Sequence, residues 1–270
     1  MYDNSHMGVS RREFLLVMGA SGAAFVCGST SLVGYWLLAD NPSSPQSVAI
    51  ERPQTIKSVE RPAIVSREEW GARAVNYEAT EEAGFYSLEN PEGWREYTED
   101  LRVAYQTVVI HHSSLYETDD WQTMHAIQDL HMGNRGWADI GYHFCIGQSG
   151  TVFEGRRMSA RGTHTELYNT GSLGVCLLGN YEEIEPTQPQ LDATQGLVNW
   201  LALRLQLTHL AGHREFNAIT VCPGANLYPH LDQIAAVASL QRGIDGYIQP
   251  EEQRITPTPI DAVTYKDCCM

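Results

Sequence analysis

The stretch Ala211–Gly224, AGHREFNAITVCPG, decides how the rest of the chain is read. It carries His213 and Cys222, with eight residues between them and no periodic apolar pattern, which reads as a loop. Pro223-Gly224 closes that loop with turn chemistry. Imidazole and thiolate are preferred zinc ligands, and a loop lets two such side chains converge on one ion. A third ligand has to come from elsewhere. In TVVIHHSS, Thr107–Ser114, a β-branched strand over Thr107–Ile110 ends in His111 and His112. Neighbouring residues on a strand point to opposite faces, so one of the two histidines meets the loop. One of them, with His213 and Cys222, would give three protein ligands and leave a fourth position for water, the pattern of a catalytic zinc site.

Outward from these two runs, the chain alternates strands and helices. Ser66 and Glu69 form an S-x-x-E pattern that opens a short helical turn. Residues 76–105 are acidic and aromatic and read as an extended surface loop packed by its own rings. Asp119-Asp120 suits a helix start, and Trp121, Met124, Ile127, Gln128 and Leu130-His131 follow at helical spacing, with Gly133 as a stop. His125 and His131 on that helix read as solvated or half-buried side chains. Tyr142–Ile146, the turn Gln148-Ser149-Gly150 and Thr151–Phe153 make a hairpin. Leu173–Leu178, between glycines, fits a buried strand. A helix over Gln190–Leu207, a last strand over Leu210–Gly212 and a helix over Leu231–Leu240 complete the pattern. Such alternation argues an α/β layered sheet in a single domain. Cys145 and Cys176 lie in apolar strand-like runs and read as buried hydrophobes; a bridge between them requires neighbouring strands.

Composition sets the outer limits. The 270 residues carry a net charge of −15. That argues against nucleic acid, which needs a basic footprint, and against charge-driven adhesion to anionic membranes. Six cysteines are too few and too scattered for a disulfide scaffold. At the N-terminus, Ser10-Arg11-Arg12-Glu13-Phe14-Leu15-Leu16 resembles the twin-arginine export motif. The uncharged apolar stretch Phe14–Ala39 after Glu13 lacks a convincing A-x-A cleavage site and is long enough to span a bilayer. Export to the periplasm or cell envelope is expected, with an inner-membrane anchor as the alternative to cleavage. Residues 1–39 are thus a signal or anchor helix, 40–61 a Pro/Ser/Gln-bearing linker, 62–242 the domain and 243–270 a tail in which Cys268 and Cys269 have no assigned role.

Five runs carry a resemblance to a known family: IVSREEWGAR (64–73), VVIHHSS (108–114), GWADIGYHFCIGQSGTVFEGR (136–156), GTHTELYNTGSLGVCLLGNY (162–181) and AGHREFNAITVCPGANLY (211–228). They resemble, in order, the motifs of peptidoglycan recognition proteins and of the type-2 zinc N-acetylmuramoyl-L-alanine amidases, over roughly residues 62 to 240. The resemblance implies one mixed central sheet with helices on both sides. It selects His111 over His112, so that His111, His213 and Cys222 hold one Zn2+, and it implies catalytic roles for Tyr142 and Thr220. His164 and Asn169 match positions lining the peptide groove; His164 reads either as exposed in a cleft or as a turn histidine bonding its own loop, and Trp137 is expected in the core or behind the ligands. The His213–Cys222 loop is one residue longer than the family's common spacing. The implied activity is hydrolysis of the amide between N-acetylmuramic acid and L-alanine, acting on peptidoglycan or muramyl peptides as a monomer. The rival readings are a non-catalytic peptidoglycan-binding receptor and a wall-anchoring protein; the retained Cys222 and Tyr142 count against the receptor.

Overall fold

The computed structural model describes residues 59–248, except 83, 88, 91 and 92. The signal or anchor helix, nearly all of the linker, the tail beyond 248, and Cys27, Cys268 and Cys269 lie outside the described residues. Among the described residues no helix is long and apolar enough to cross a membrane.

Seven strands form one mixed sheet: β1 (Ile64–Val65), β2 (Thr107–His112), β3 (Phe144–Ile146), β4 (Val152–Glu154), β5 (Ser172–Leu177), β6 (His209–Gly212) and β7 (Gln241–Arg242). Their order is β1-β4-β3-β5-β2-β6-β7, parallel throughout except for the β3–β4 hairpin. The helices are α1 (Leu101–Ala104), α2 (Asp120–Gln128), α3 (Gln188–Leu205), α4 (His213–Phe216) and α5 (Leu231–Val237).

Period-two alternation assigns the two faces. Val108 and Ile110 of β2, Leu173, Val175 and Leu177 of β5, and Leu210 of β6 pack with Leu197, Val198 and Leu201 of α3 and with Leu231 and Ile234 of α5. The opposite face joins Cys145, Phe153 and Cys176 to Met124 and Ile127 of α2, with Trp70 and Tyr142. The sheet is therefore buried on both sides, as parallel strands require. Cys145 and Cys176 are register partners on adjacent strands, but both are free thiols.

Local signals in the sequence have clear counterparts. Ser66 and Glu69 exchange hydrogen bonds as a capping box (Ser66 N to Glu69 Oε2 2.7 Å, Glu69 N to Ser66 Oγ 3.3 Å). Asp119 caps α2 by accepting from Gln122 N at 2.8 Å. Asp120, the first residue of that helix, is buried and accepts from Gln148 N at 2.8 Å and Ser149 N at 3.2 Å, which fixes the β3–β4 turn to α2.

Two expectations need correction. Residues 76–97 are more than a self-packed surface loop. Glu82, 3% exposed, meets the Arg156 guanidinium in a two-point pair with both N–O distances 2.8 Å. Arg156 also donates to the carbonyls of Ile140, Arg161 and Asp139, and its guanidinium lies over Trp94. Burial alone would raise the Glu82 carboxyl, but Arg156, Thr163 and the Ala138 N–H together hold it below its ordinary value. The loop is thereby bolted to the residues before and after the hairpin. His131, in turn, is buried. After Gln128 the helix widens into a π-helical stretch, Asp129–Asn134. His131 continues the buried stripe of Met124, Ile127 and Gln128, seven, four and three residues before it. His131 Nδ1 accepts from Gly141 N at 3.0 Å, and its ring lies 4.6 Å from that of Trp137. His125 is exposed.

His143 gives the fold a pH dependence. Its Nδ1 accepts from Gly174 N at 3.0 Å and its Nε2 donates to the Ala160 carbonyl at 3.0 Å. Burial pushes this imidazole down to about 3, against partial support from the Ala160 carbonyl and with the Arg156 cation adding to the fall. The folded value lies below the unfolded one, so the unfolded chain takes up the proton first. Stability is complete above about pH 6.5 and is lost as pH falls toward 3, at up to about 1.4 kcal/mol per pH unit from this residue alone. Urea unfolding in steps from pH 7 to 4 measures the slope, and His143→Gln should flatten it.

Candidate metal centre and groove

Alternation on β2 sends His111 and His112 to opposite faces. His112 joins the α3 side, where its Nδ1 accepts from Tyr181 N at 3.2 Å and its Nε2 pairs with Ser114 Oγ at 2.9 Å. His111 joins the α2 side, with its ring 5.2 Å from that of Tyr142. Strand β6 pairs with β2, and α4 begins at its end, which brings His213 beside His111 with ring centroids 4.6 Å apart. Glu215 secures this strand-to-helix junction by accepting from Gly212 N at 3.1 Å and Arg242 Nη2 at 2.6 Å.

The loop after α4 returns Cys222 to the same point. Arg214 closes it, its N–H donating to the Cys222 carbonyl at 2.8 Å and its guanidinium to the Val221 carbonyl. Cys222 Sγ accepts from the His112 N–H at 3.4 Å and lies 3.6 Å from His111 Nδ1. One ligand atom from each of His111, His213 and Cys222 can be chosen so that all lie within 4.8 Å of one another, and all three residues are buried. Burial, followed by the neighbouring His213, His164 and His112, holds His111 well below its ordinary value. It is therefore neutral, the form that can ligate a metal.

The remaining candidates surround this cluster. Tyr142 and Thr220 are both buried, and Tyr142 also packs against His131, ring centroids 5.4 Å apart. Thr220 Oγ1 accepts from Cys222 N at 3.2 Å. Trp137 packs against Cys222, behind the cluster. His164 is not exposed in a cleft. Its side chain is fully buried, with Nδ1 3.1 Å from His111 Nε2 and 2.9 Å from Thr165 Oγ1. The ring can fold back because Gly162 and Gly174 leave the space: a Cβ on Gly174 would stand 2.5 Å from His164 Cδ2, and one on Gly162 would also collide with the ring. Asn169 Oδ1 accepts from both His164 N and Thr165 N at 2.7 Å, which closes their loop.

One contact missed in the sequence ties the two loops together. Tyr168, Phe216 and Tyr247 form a triangle of rings with centroids 4.9, 5.4 and 5.5 Å apart. Tyr247 also donates to the Thr170 carbonyl at 2.8 Å, so residues 243–248 pack on the domain. The only signal available was three aromatics in segments without periodicity.

Comparison with known proteins agrees with this architecture. The family profile described as N-acetylmuramoyl-L-alanine amidase matches residues 101–225. Peptidoglycan-recognition protein LB of Drosophila melanogaster is 30% identical over 205 residues, covering 70% of this chain and 79% of that protein. The crystal structure of drosophila peptidoglycan recognition protein SD superimposes with a TM-score of 0.53 at 32% identity, covering 64% of this chain and 95% of that one. The endolysin N-acetylmuramoyl-L-alanine amidase LysCS from Clostridium intestinale URNW gives a TM-score of 0.50 at 27% identity, covering 68% of this chain and 99% of that one. The five motifs, the mixed sheet and these relatives together show that the chain belongs to the type-2 amidase and peptidoglycan recognition protein family.

Proposed function

We propose that the chain is a zinc-dependent N-acetylmuramoyl-L-alanine amidase. One observation carries the reading: two imidazoles and a thiol, drawn from three separate positions on the chain, converge in a buried cluster. The donor set fits Zn2+, which takes nitrogen and thiolate ligands in tetrahedral geometry. Tetrahedral bonds of ordinary length put sulfur and nitrogen about 3.6 Å apart, and Cys222 Sγ and His111 Nδ1 are separated by 3.6 Å. Three ligands leave a position for the reaction.

Bound zinc supplies Lewis acidity toward the amide carbonyl and toward water. The chain's own residues do the rest. The His112 N–H hydrogen-bonds Cys222 Sγ and so fixes the position of the sulfur. Thr220 spends an acceptor lone pair on Cys222 N–H, which leaves its hydroxyl proton available for the oxygen that gains charge during hydrolysis. Tyr142, packed beside His111, holds the attacking water or donates to the same oxygen. The substrate class, peptidoglycan and its muramyl peptides, follows from the family. A variant of one of its members, Drosophila PGRP-LB, has been solved in complex with tracheal cytotoxin. The same reading takes residues 62–242 as the catalytic domain. It takes residues 1–39 as a twin-arginine signal or anchor that delivers the protein to the periplasm or envelope.

The test is mass spectrometry of purified peptidoglycan digested with the zinc-loaded full-length chain. Free stem peptides with L-alanine amino termini, beside peptide-free glycan, are expected. Intact muropeptides from a folded, zinc-loaded sample would instead establish a binding receptor.

A further inference from the structure

We infer that His164 is a positioning residue for the metal centre: it accepts the Nε2–H of His111 and holds that ring with Nδ1 free for zinc. The inference rests on the zinc reading above and goes beyond it.

His111 Nδ1 faces the Cys222 thiol at 3.6 Å, so a neutral, ligating His111 carries its proton on Nε2. Two groups stand by that nitrogen, His164 Nδ1 at 3.1 Å and, less well placed, Thr165 Oγ1 at 3.4 Å. With Nδ1 accepting, His164 must carry its own proton on Nε2. That atom is buried and makes no hydrogen bond of normal geometry. Folding ordinarily avoids such an unmade bond, and here it accompanies the arrangement that serves His111.

The surroundings are shaped for this orientation. Gly162 and Gly174 leave the space that the ring fills, and Thr165 Oγ1 and Asn169 Oδ1 fix the ring and its backbone. Outer partners of this kind orient a ligating histidine, set its tautomer and raise its basicity.

The experiment measures zinc affinity of the full-length chain by competition with a chromophoric chelator, and the absorption spectrum of the cobalt-substituted protein. Far-UV circular dichroism confirms the fold of each variant. His164→Leu removes the acceptor, whereas His164→Asn places an amide oxygen near the position of Nδ1. Leucine should weaken zinc binding about 10–100-fold and shift the cobalt spectrum, and asparagine should restore most of the affinity. A folded leucine variant that binds zinc like the wild type overturns the assignment. So does equal weakening in both variants, which would mark a packing role. Should the leucine variant not fold, His164→Gln replaces it, because its amide reaches the place of Nε2; glutamine failing where asparagine succeeds supports the assignment, and equal affinities overturn it. A wild-type chain that binds no zinc overturns the zinc reading itself, and so stands apart from these results.

Discussion

Cys222→Ser should lower zinc affinity by well over 100-fold, more than the roughly 10–100-fold at stake for an outer partner, and should abolish turnover. The reason is chemical and local. Serine keeps the size and the backbone but exchanges a soft thiolate for a hydroxyl that stays protonated at neutral pH. The His112 N–H would then face a neutral oxygen, and two imidazoles alone would have to hold the ion. The cysteine is buried and its backbone is fixed by Arg214 and Thr220, so the variant should retain the fold. Three measurements separate the possibilities: zinc content after dialysis, release of stem peptides, and binding of muramyl peptides. Binding should persist while hydrolysis is lost. Unchanged zinc content and turnover would dispose of Cys222 as a ligand.

The second large effect belongs to the fold. Glu82→Ala should lower the unfolding free energy by about 3–5 kcal/mol, because it leaves the Arg156 cation buried and uncompensated. For a domain of this size that corresponds to a fall in Tm of roughly 6–20 °C. The comparison variant is the double change Glu82→Leu with Arg156→Met, which removes both charges but leaves the carbonyls that Arg156 served unpaired, so it should recover only part of the loss. Chemical denaturation of the three proteins tests the pair; a single-variant loss under about 1 kcal/mol would show that the charge is relieved by water or movement. The contrast is instructive, since Cys222→Ser should spare the fold, and the Glu82 change should act on activity only through the folded fraction.

These two residues also mark what can be read in the chain. Cys222 is legible because thiolate chemistry, a closing Pro-Gly and a strand ending in paired histidines are local signals that point to one site. Strand alternation leaves two histidines open, the family pattern favours His111, and the sheet turns His111 toward the Tyr142 side while His112 meets Tyr181 on the other. Five of the seven strands, the hairpin and the three longer helices follow from periodicity in the same way, whereas the two-residue edge strands β1 and β7 are too short to show a period. The Glu82–Arg156 pair is not legible: its members stand 74 residues apart and neither carries a local signature. His131 stands three, four and seven residues after the buried Gln128, Ile127 and Met124, so spacing does mark it as inward; its polarity is what suggests a solvated side chain. His164 falls in the right neighbourhood with the wrong orientation. A glycine beside a histidine suggests freedom and exposure, yet here the glycines make room for the ring inside.

The place of β6 in the sheet bears on biosynthesis. β6 lies between β2 and β7, and it carries His213 to a partner made about 100 residues earlier. A nascent chain therefore leaves the ribosome with His111 long before anything can complete its coordination. Products that stall or are cleaved before Cys222 lack the thiol altogether, and long-range parallel pairing is slow to form. On the zinc reading, metal retention would report that translation has passed residue 222 and that the β5-to-β6 crossover has docked. A cell that loads zinc before moving the protein onward would, by that step alone, distinguish finished molecules from fragments.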